Sequence, residues 1–455
     1  MVRKETILIL MGFILVFLAT VATAVVIPFF GTINQDLGIQ NIGLIEAFHI
    51  IMATIATMLW GVFADRYDRR LIVLGSTVLW TGSGVALFVL PPHIISYTFF
   101  RGLMGLGVGA ALPLIYSILG DSAGIQERGK YSSGLSVVVI VGAGSGIIIG
   151  AILENIGWQG ALLVLSLAGL LTIGPFFFYQ VPARGAQEPE LLASDGLLEY
   201  NYRIELPEIK EILLKPTNFW LLLQGLFALI PSTTFSYYLV NFFADYRYGG
   251  LFIPLSSATI LALGFASGRI IGYVIFGPFG DRVAKSVLSN KARLMALGIG
   301  LQTPLSIVAF VVISHYQLNI QSGNIFDYLL IPELVIFGLL FFSGTLTGGA
   351  AGPNRRALLY DVNLPEHRGT TGAMFTITDQ LGSAVALIGA SLLLPLSGYI
   401  WLFLITSLFY MISALVCIPV IYHVEIDSQT LREVIQKRAS IRISHFSVEE
   451  DLRIF

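Results

Sequence analysis

Apolar runs of about 20 residues recur from one end of the chain to the other, each closed by a short polar stretch; that length lets a helix cross roughly 30 Å of hydrocarbon. The first run, ILILMGFILVFLATVATAVVI, is too long for the apolar core of a signal peptide and has no small-residue cleavage site after it. It therefore reads as a retained first span. The pattern predicts twelve spans, at 6–30, 42–63, 71–90, 95–119, 132–153, 160–180, 217–243, 255–279, 292–314, 328–352, 370–396 and 398–422. They divide the chain into an N-terminal bundle (1–180), a linker (181–216), a C-terminal bundle (217–422) and a tail (423–455).

Composition agrees. The chain of 455 residues is 12% charged, about half the fraction of a soluble protein of this length, and its mean hydropathy is +0.81. A net charge of −2 points to no nucleic-acid partner. The single cysteine, Cys417, excludes an internal disulfide and a cysteine metal cluster. No HExxH or Walker loop occurs, and the GxGxxA at Gly105, Gly107 and Ala110 lies inside an apolar helix with no strand before it. The sequence thus implies no cofactor and no metal, and no loop carries the spacing of an enzyme's nucleophile and base.

Basic residues set the orientation. Of the 26 lysines and arginines, 23 fall at the termini or in loops after even-numbered spans, which places both termini in the cytoplasm. The linker ends in LPEIKEILLKP, with Ile209, Ile212 and Leu213 at helical spacing, so a short helix on the membrane surface is expected there. The tail is expected to be solvated, with two short helices, the second opened by Ser447 and Glu450.

The halves repeat each other. Gly61-x-x-x-Asp65-Arg66 returns as Gly277-x-x-x-Asp281-Arg282, each at the same end of its half's second span. Asp121 precedes Arg128-Gly129 as Asp361 precedes Arg368-Gly369, and Pro113 and Pro353 each lie eight residues before their aspartate. Such parallel repeats mark one class of transporter. The expected fold is an all-α polytopic membrane protein of twelve transmembrane helices in two pseudo-symmetric six-helix bundles.

GVFADRYDRR, at 61–70, and RGLMGLGVGAALP in span four resemble the loop and span-four motifs of the major facilitator superfamily. The resemblance implies alternating access and a cytoplasmic gate built from Gly61, Asp65, Arg66, Arg69 and Arg70, with Gly277, Asp281 and Arg282 as the second copy. Gly61 and Gly277 would allow close helix approach there. DRYDRR, RGLMGLGVG, VGAGSGIIIG and VPARG are also similar to the spinster-like branch, whose members move lysophospholipids or phosphosphingoid lipids. The chain departs from that branch in having no charge in span one and Val108 after the span-four glycines. Gly142, Gly146 and Gly150 partly match an antiporter motif, but read more simply as a packing face against span eight.

Charges inside the membrane need a partner or a purpose, since each costs roughly 2.5–3.5 kcal/mol on insertion scales. Arg269 lies about 18 Å along a helix from Asp281, and Asp379 about 16 Å from Arg368, so both are expected near the midplane, as a pair that a substrate or proton opens. Glu46, His49 and Arg101 share a depth in the outer third, where they either handle protons or substrate or reach out to water and head groups. Gln224, Ser232, Tyr237, Tyr238 and Asn241 make a mildly polar wall on span seven.

The sequence therefore predicts a secondary transporter, a monomer in a prokaryotic plasma membrane, acting on an amphipathic lipid-like solute such as a lysophospholipid. A proton-coupled carrier of drugs or organic anions is the alternative. A non-transporting sensor on the same fold is a third reading, against which the paired gate motifs weigh.

Overall fold

The computed structural model describes residues 4–122, 128–174, 176, 206–245, 253–315, 325–364 and 368–452. Ten described helices are long and apolar enough to cross a membrane. One of them, Thr370–Val434, runs for 65 residues and is broken at Gly398, whose positive φ of 75° a glycine adopts without steric penalty. That break divides spans eleven and twelve. The shorter apolar stretch Val137–Ile152 is span five. The described helices thus accommodate the twelve crossings read from the sequence.

Several spans are discontinuous. Span four runs as Ile94–Val108 and Ala111–Ser122, span eight as Leu255–Ala266 and Gly268–Ala284, and span ten as Pro332–Gly348 and Ala351–Val362. Glycines let the second and third of these cross closely: a Cβ on Gly349 would lie 2.8 Å from the Cα of Gly272 and 2.9 Å from the carbonyl oxygen of Arg269. Span ten continues well past residue 352, so Arg355 belongs to its buried face rather than to a loop.

The glycines of span five pack elsewhere than expected. Cβ atoms on Gly142, Gly146 and Gly150 would meet Thr20, Val21 and Val25, all on span one. Helical spacing marked a small-residue face but carried no information about which helix it faces. Span five turns Val139, Ile140, Ala143 and Ile147 toward span eight instead.

The halves are joined at the end of the bundle opposite the GVFADRYDRR loop, here the far end. Asn41 donates to the carbonyl of Ala390 (3.0 Å) and accepts from the hydroxyl of Tyr238 (3.0 Å), while Asn241 donates to the carbonyl of Ile27 (2.9 Å). Phe30 packs its ring against both Tyr237 and Tyr238. At the motif end, a Cβ on Gly61 would meet no described atom within 4 Å, and one on Gly277 only Pro353 at 3.5 Å, an ordinary contact. Among the described residues, the expected close approach at these two glycines is not seen, and the contacts between the halves named above lie at the far end.

The expected helix in the linker forms at Leu206–Leu214, with Ile212 buried. The tail differs from expectation: span twelve continues as helix to Leu452 instead of two short helices, and the side chains of Ser447 and Glu450 lie outside the described residues. Nor is its first part merely solvated. Asp427 accepts from the backbone N–H of Thr217 at 2.9 Å and Glu425 from that of Ser289 at 2.8 Å, capping the first turns of spans seven and nine.

Candidate functional site

Two cavities lie between the helices and share Val139 in their walls. The central cavity, of about 270 Å³, is walled by spans one, two, four, five, seven and eleven, hence by both halves. The seam cavity, of about 370 Å³, lies where span five faces spans seven, eight, ten and twelve. Two of its lining residues, Ile140 and Ile270, are exposed.

Arg269 sits in the seam cavity, two residues past the break in span eight. Its guanidinium donates to the Ser232 hydroxyl (3.0 Å) and the Tyr410 hydroxyl (2.7 Å), and lies 5.8 Å from the Tyr410 ring centroid. The expected pair with Asp379 does not form. Asp379 accepts through both carboxylate oxygens from Nη1 of Arg355, at 2.8 and 3.0 Å. Arg355 also donates to the carbonyl of Leu221 (3.1 Å) and stacks 4.5 Å from the centroid of Phe375. The physical reason is the length of span ten: its helix carries Arg355 to the side of Asp379, and Arg269 is turned to the hydroxyls of spans seven and twelve. Among the described residues no carboxylate pairs with Arg269.

Glu46, His49 and Arg101 do come together, and more deeply than expected. Arg101 binds Glu46 with two hydrogen bonds of 2.9 Å, both side chains being 0% exposed, so neither reaches water or head groups. Arg101 also donates to the carbonyl of Thr23 (2.9 Å), tying span four to span one. His49 Nδ1 lies 2.8 Å from the carbonyl oxygen of Arg101. A carbonyl only accepts, so Nδ1 carries the proton and Nε2 is left as an acceptor, with no partner among the described residues. His49 lines the central cavity, as does Tyr237, whereas Glu46 and Arg101 stand behind it.

Asn241 is placed differently. It is 2% exposed and spends both donors on carbonyls, of Ile27 and Tyr237, so it belongs to the far-end closure rather than a cavity wall.

At the motif end, the side chains of Asp65 and Arg66 lie outside the described residues. Arg69 donates to the Ser117 hydroxyl (3.1 Å) of its own half, and Asp68 caps span three by accepting from the backbone N–H of Arg70 (2.9 Å). In the second copy, Lys291 bridges Asp281 (3.0 Å) and Asp361 (3.2 Å), both of its own half. Arg282 ends span eight close to this bridge in sequence. Lys291 and Arg355 read in the sequence as loop cations, and the repeat gives no signal for them, since the matching positions of the first half are Gly75 and Ile115.

The family model of the Major Facilitator Superfamily matches residues 12–322. The chain belongs to that superfamily. Among curated relatives, zebrafish spinster homolog 3 is 30% identical over 150 residues, 32% of this chain and 30% of the relative. Mouse spinster homolog 1 is 26% identical over 34% of this chain and 30% of its own length. The E. coli 3-(3-hydroxy-phenyl)propionate transporter is 32% identical over 25% of this chain and 28% of its own. The match thus spans about a third of the length of these relatives. In fold, the chain is similar to a bacterial homolog of the human lysosomal transporter Spinster in its inward-facing, unoccupied conformation, with a TM-score of 0.70 at 15% identity over 95% of this chain and 98% of that one. The inward-open xylose transporter of E. coli gives 0.65 at 16% identity over 91% and 96%. The family model points to a membrane transporter.

Proposed function

We propose that the chain is a secondary transporter that carries an amphipathic lipid-like solute with an anionic head, such as a lysophospholipid, by alternating access. The observation that carries this reading is Arg269: a guanidinium held by two neutral hydroxyls, with no carboxylate beside it among the described residues, in a cavity otherwise lined mainly by apolar side chains. A cation in such surroundings favours an anionic partner strongly. The exposed apolar lining residues Ile140 and Ile270 suit a solute whose tail stays in the bilayer.

In this reading the motif end faces the cytoplasm with both termini, the protein acts as a monomer in a plasma membrane, and the far-end contacts belong to the inward-facing state. Gly61, Asp65, Arg66, Arg69 and Arg70, with Gly277, Asp281 and Arg282, form the gate of the opposite state. The open space beside Gly61 supports this, since a gate glycine is crowded only when its gate is shut.

The test is uptake into proteoliposomes of a lysophospholipid panel against generic organic anions, with and without a pH gradient. Lipid flux lost in Arg269→Ala is expected. Flux of organic anions alone, driven by the gradient, would favour the second reading, a proton-coupled carrier. One observation speaks for that reading: Asp379 is one-third exposed, and its two oxygens share a single nitrogen of Arg355, a bond that protonation would weaken.

A further inference from the structure

The two cavities differ in what their polar atoms have left to offer. In the seam cavity, Ser232 and Tyr410 accept from Arg269, so their own protons remain available and the wall presents donors. In the central cavity the lining threonines give their protons away, Thr20 to Val16 O (2.7 Å), Thr23 to Ala19 O (3.0 Å), Thr57 to Ala53 O (2.9 Å) and Thr376 to Gly372 O (3.0 Å), while the Tyr237 hydroxyl and the Gln380 amide of the same wall keep donors. Thr233 donates to Ser383 (2.9 Å), which donates to Asp379 O (3.1 Å). A carbonyl cannot donate in return, so each of these hydroxyl oxygens has only lone pairs left to offer.

His49 completes the set. It is 1% exposed, its Nδ1 proton is committed to Arg101 O, and its Nε2 is a buried acceptor without a partner among the described residues. The imidazole is held by a built support: Arg101 is fixed by Glu46 and by span one, and Gly105 leaves room for the ring, since a Cβ there would lie 3.1 Å from Nδ1. A buried acceptor left unpaired is unfavourable, so it gains from any ligand that supplies an N–H or O–H.

We propose that the central cavity is a subsite for a hydrogen-bond donor on the solute, a primary ammonium or a hydroxyl, and that His49 Nε2 is the atom that reads it. This rests on the lipid-transporter reading and adds to it: the seam cavity takes the anion, the central cavity the donor, and a solute carrying both reaches across Val139, which lines the two. Glu46 and Arg101 are positioning residues that keep Nε2 an acceptor.

The experiment measures binding of three lysophospholipids of one chain length to the purified full-length protein. All three keep the free glycerol hydroxyl of a lysolipid, so they differ only in the head group: lysophosphatidylethanolamine carries ammonium donors there, lysophosphatidylcholine has the same charge and no head-group donor, and lysophosphatidylglycerol carries head-group hydroxyls. The ethanolamine lipid is expected to bind about fivefold tighter than the choline lipid, the scale of one net hydrogen bond. His49→Phe should bring the ratio to about one. His49→Gln, which keeps a donor for Arg101 O and an acceptor for the cavity, should retain most of it and so separates recognition from misfolding. Glycerol-lipid binding at the ethanolamine level assigns hydroxyl and ammonium alike, and binding at the choline level assigns ammonium alone. Equal affinity for ethanolamine and choline lipids, or a preference that survives His49→Phe, overturns the His49 subsite while the lipid reading stands. Binding of none of the three overturns both.

Discussion

Arg101 and Glu46 meet through two hydrogen bonds, Nε to Oε1 and Nη2 to Oε2, each 2.9 Å, with neither side chain reachable by solvent. A pair so buried is held by geometry as much as by charge, because taking two ions out of water offsets most of their attraction. Removing one partner leaves the other charge stranded. Glu46→Gln should therefore destabilise the fold by about 3–5 kcal/mol, read as a lowered melting temperature in detergent. The double variant Glu46→Gln/Arg101→Met should be less damaged than Glu46→Gln alone. A double variant damaged by the sum of the two would show that the side chains act separately.

The far-end closure turns on Gly43. A Cβ there would run into the Tyr238 hydroxyl and lie 2.7 Å from the carbonyl oxygen of Leu387, both in the other half. Gly43→Ala is expected to push the halves apart at this end without disturbing either bundle. Spin labels at the exposed positions Gln40 and Leu396 would report a longer distance in the variant. The only native cysteine, Cys417, is buried, which keeps background labelling low. An unchanged distance would mean that Tyr238 yields instead.

The start of the tail is a brace for the C-terminal half. Asp427 holds the first N–H of span seven at Thr217, and Asp427→Ala should lower stability by about 1 kcal/mol, the scale of a lost helix cap. Solute flux per folded molecule should not change, because the contact lies within one half. A flux defect at unchanged melting temperature would instead tie the tail to the transport cycle.

Much of the fold was legible because bilayer thickness fixes the length of an apolar run, and because the repeated Gly-x-x-x-Asp-Arg fixes the pairing of the halves. The site was less so. Spacing along a helix gave the depth of Arg269 and Asp379 but not the direction each side chain takes. Pro353-Asn-Arg-Arg reads as the start of a loop, yet the chain resumes as helix after Gly349 and Ala350, which hides Arg355 among apparent loop charges. The stripe Gly142, Gly146 and Gly150 announced close packing, and only the fold could say that span one is what it packs on.

The partner of Asp379 can be settled by coupling energies. Arg355 donates to it at 2.8 Å, while Arg269 is engaged with Ser232 and Tyr410. Residues in contact usually show interaction energies of about 0.5–3 kcal/mol, whereas separate sites add to within about 0.5 kcal/mol. A double-mutant cycle of Arg355→Met with Asp379→Asn, followed by unfolding in detergent, should fall in the first range. The cycle of Arg269→Met with Asp379→Asn should fall in the second. If the second cycle instead showed the larger coupling, Arg269 would reach Asp379 in the state that dominates in solution. The hydroxyl cradle around its guanidinium would then be a resting place between two conformations rather than the seat of an anion.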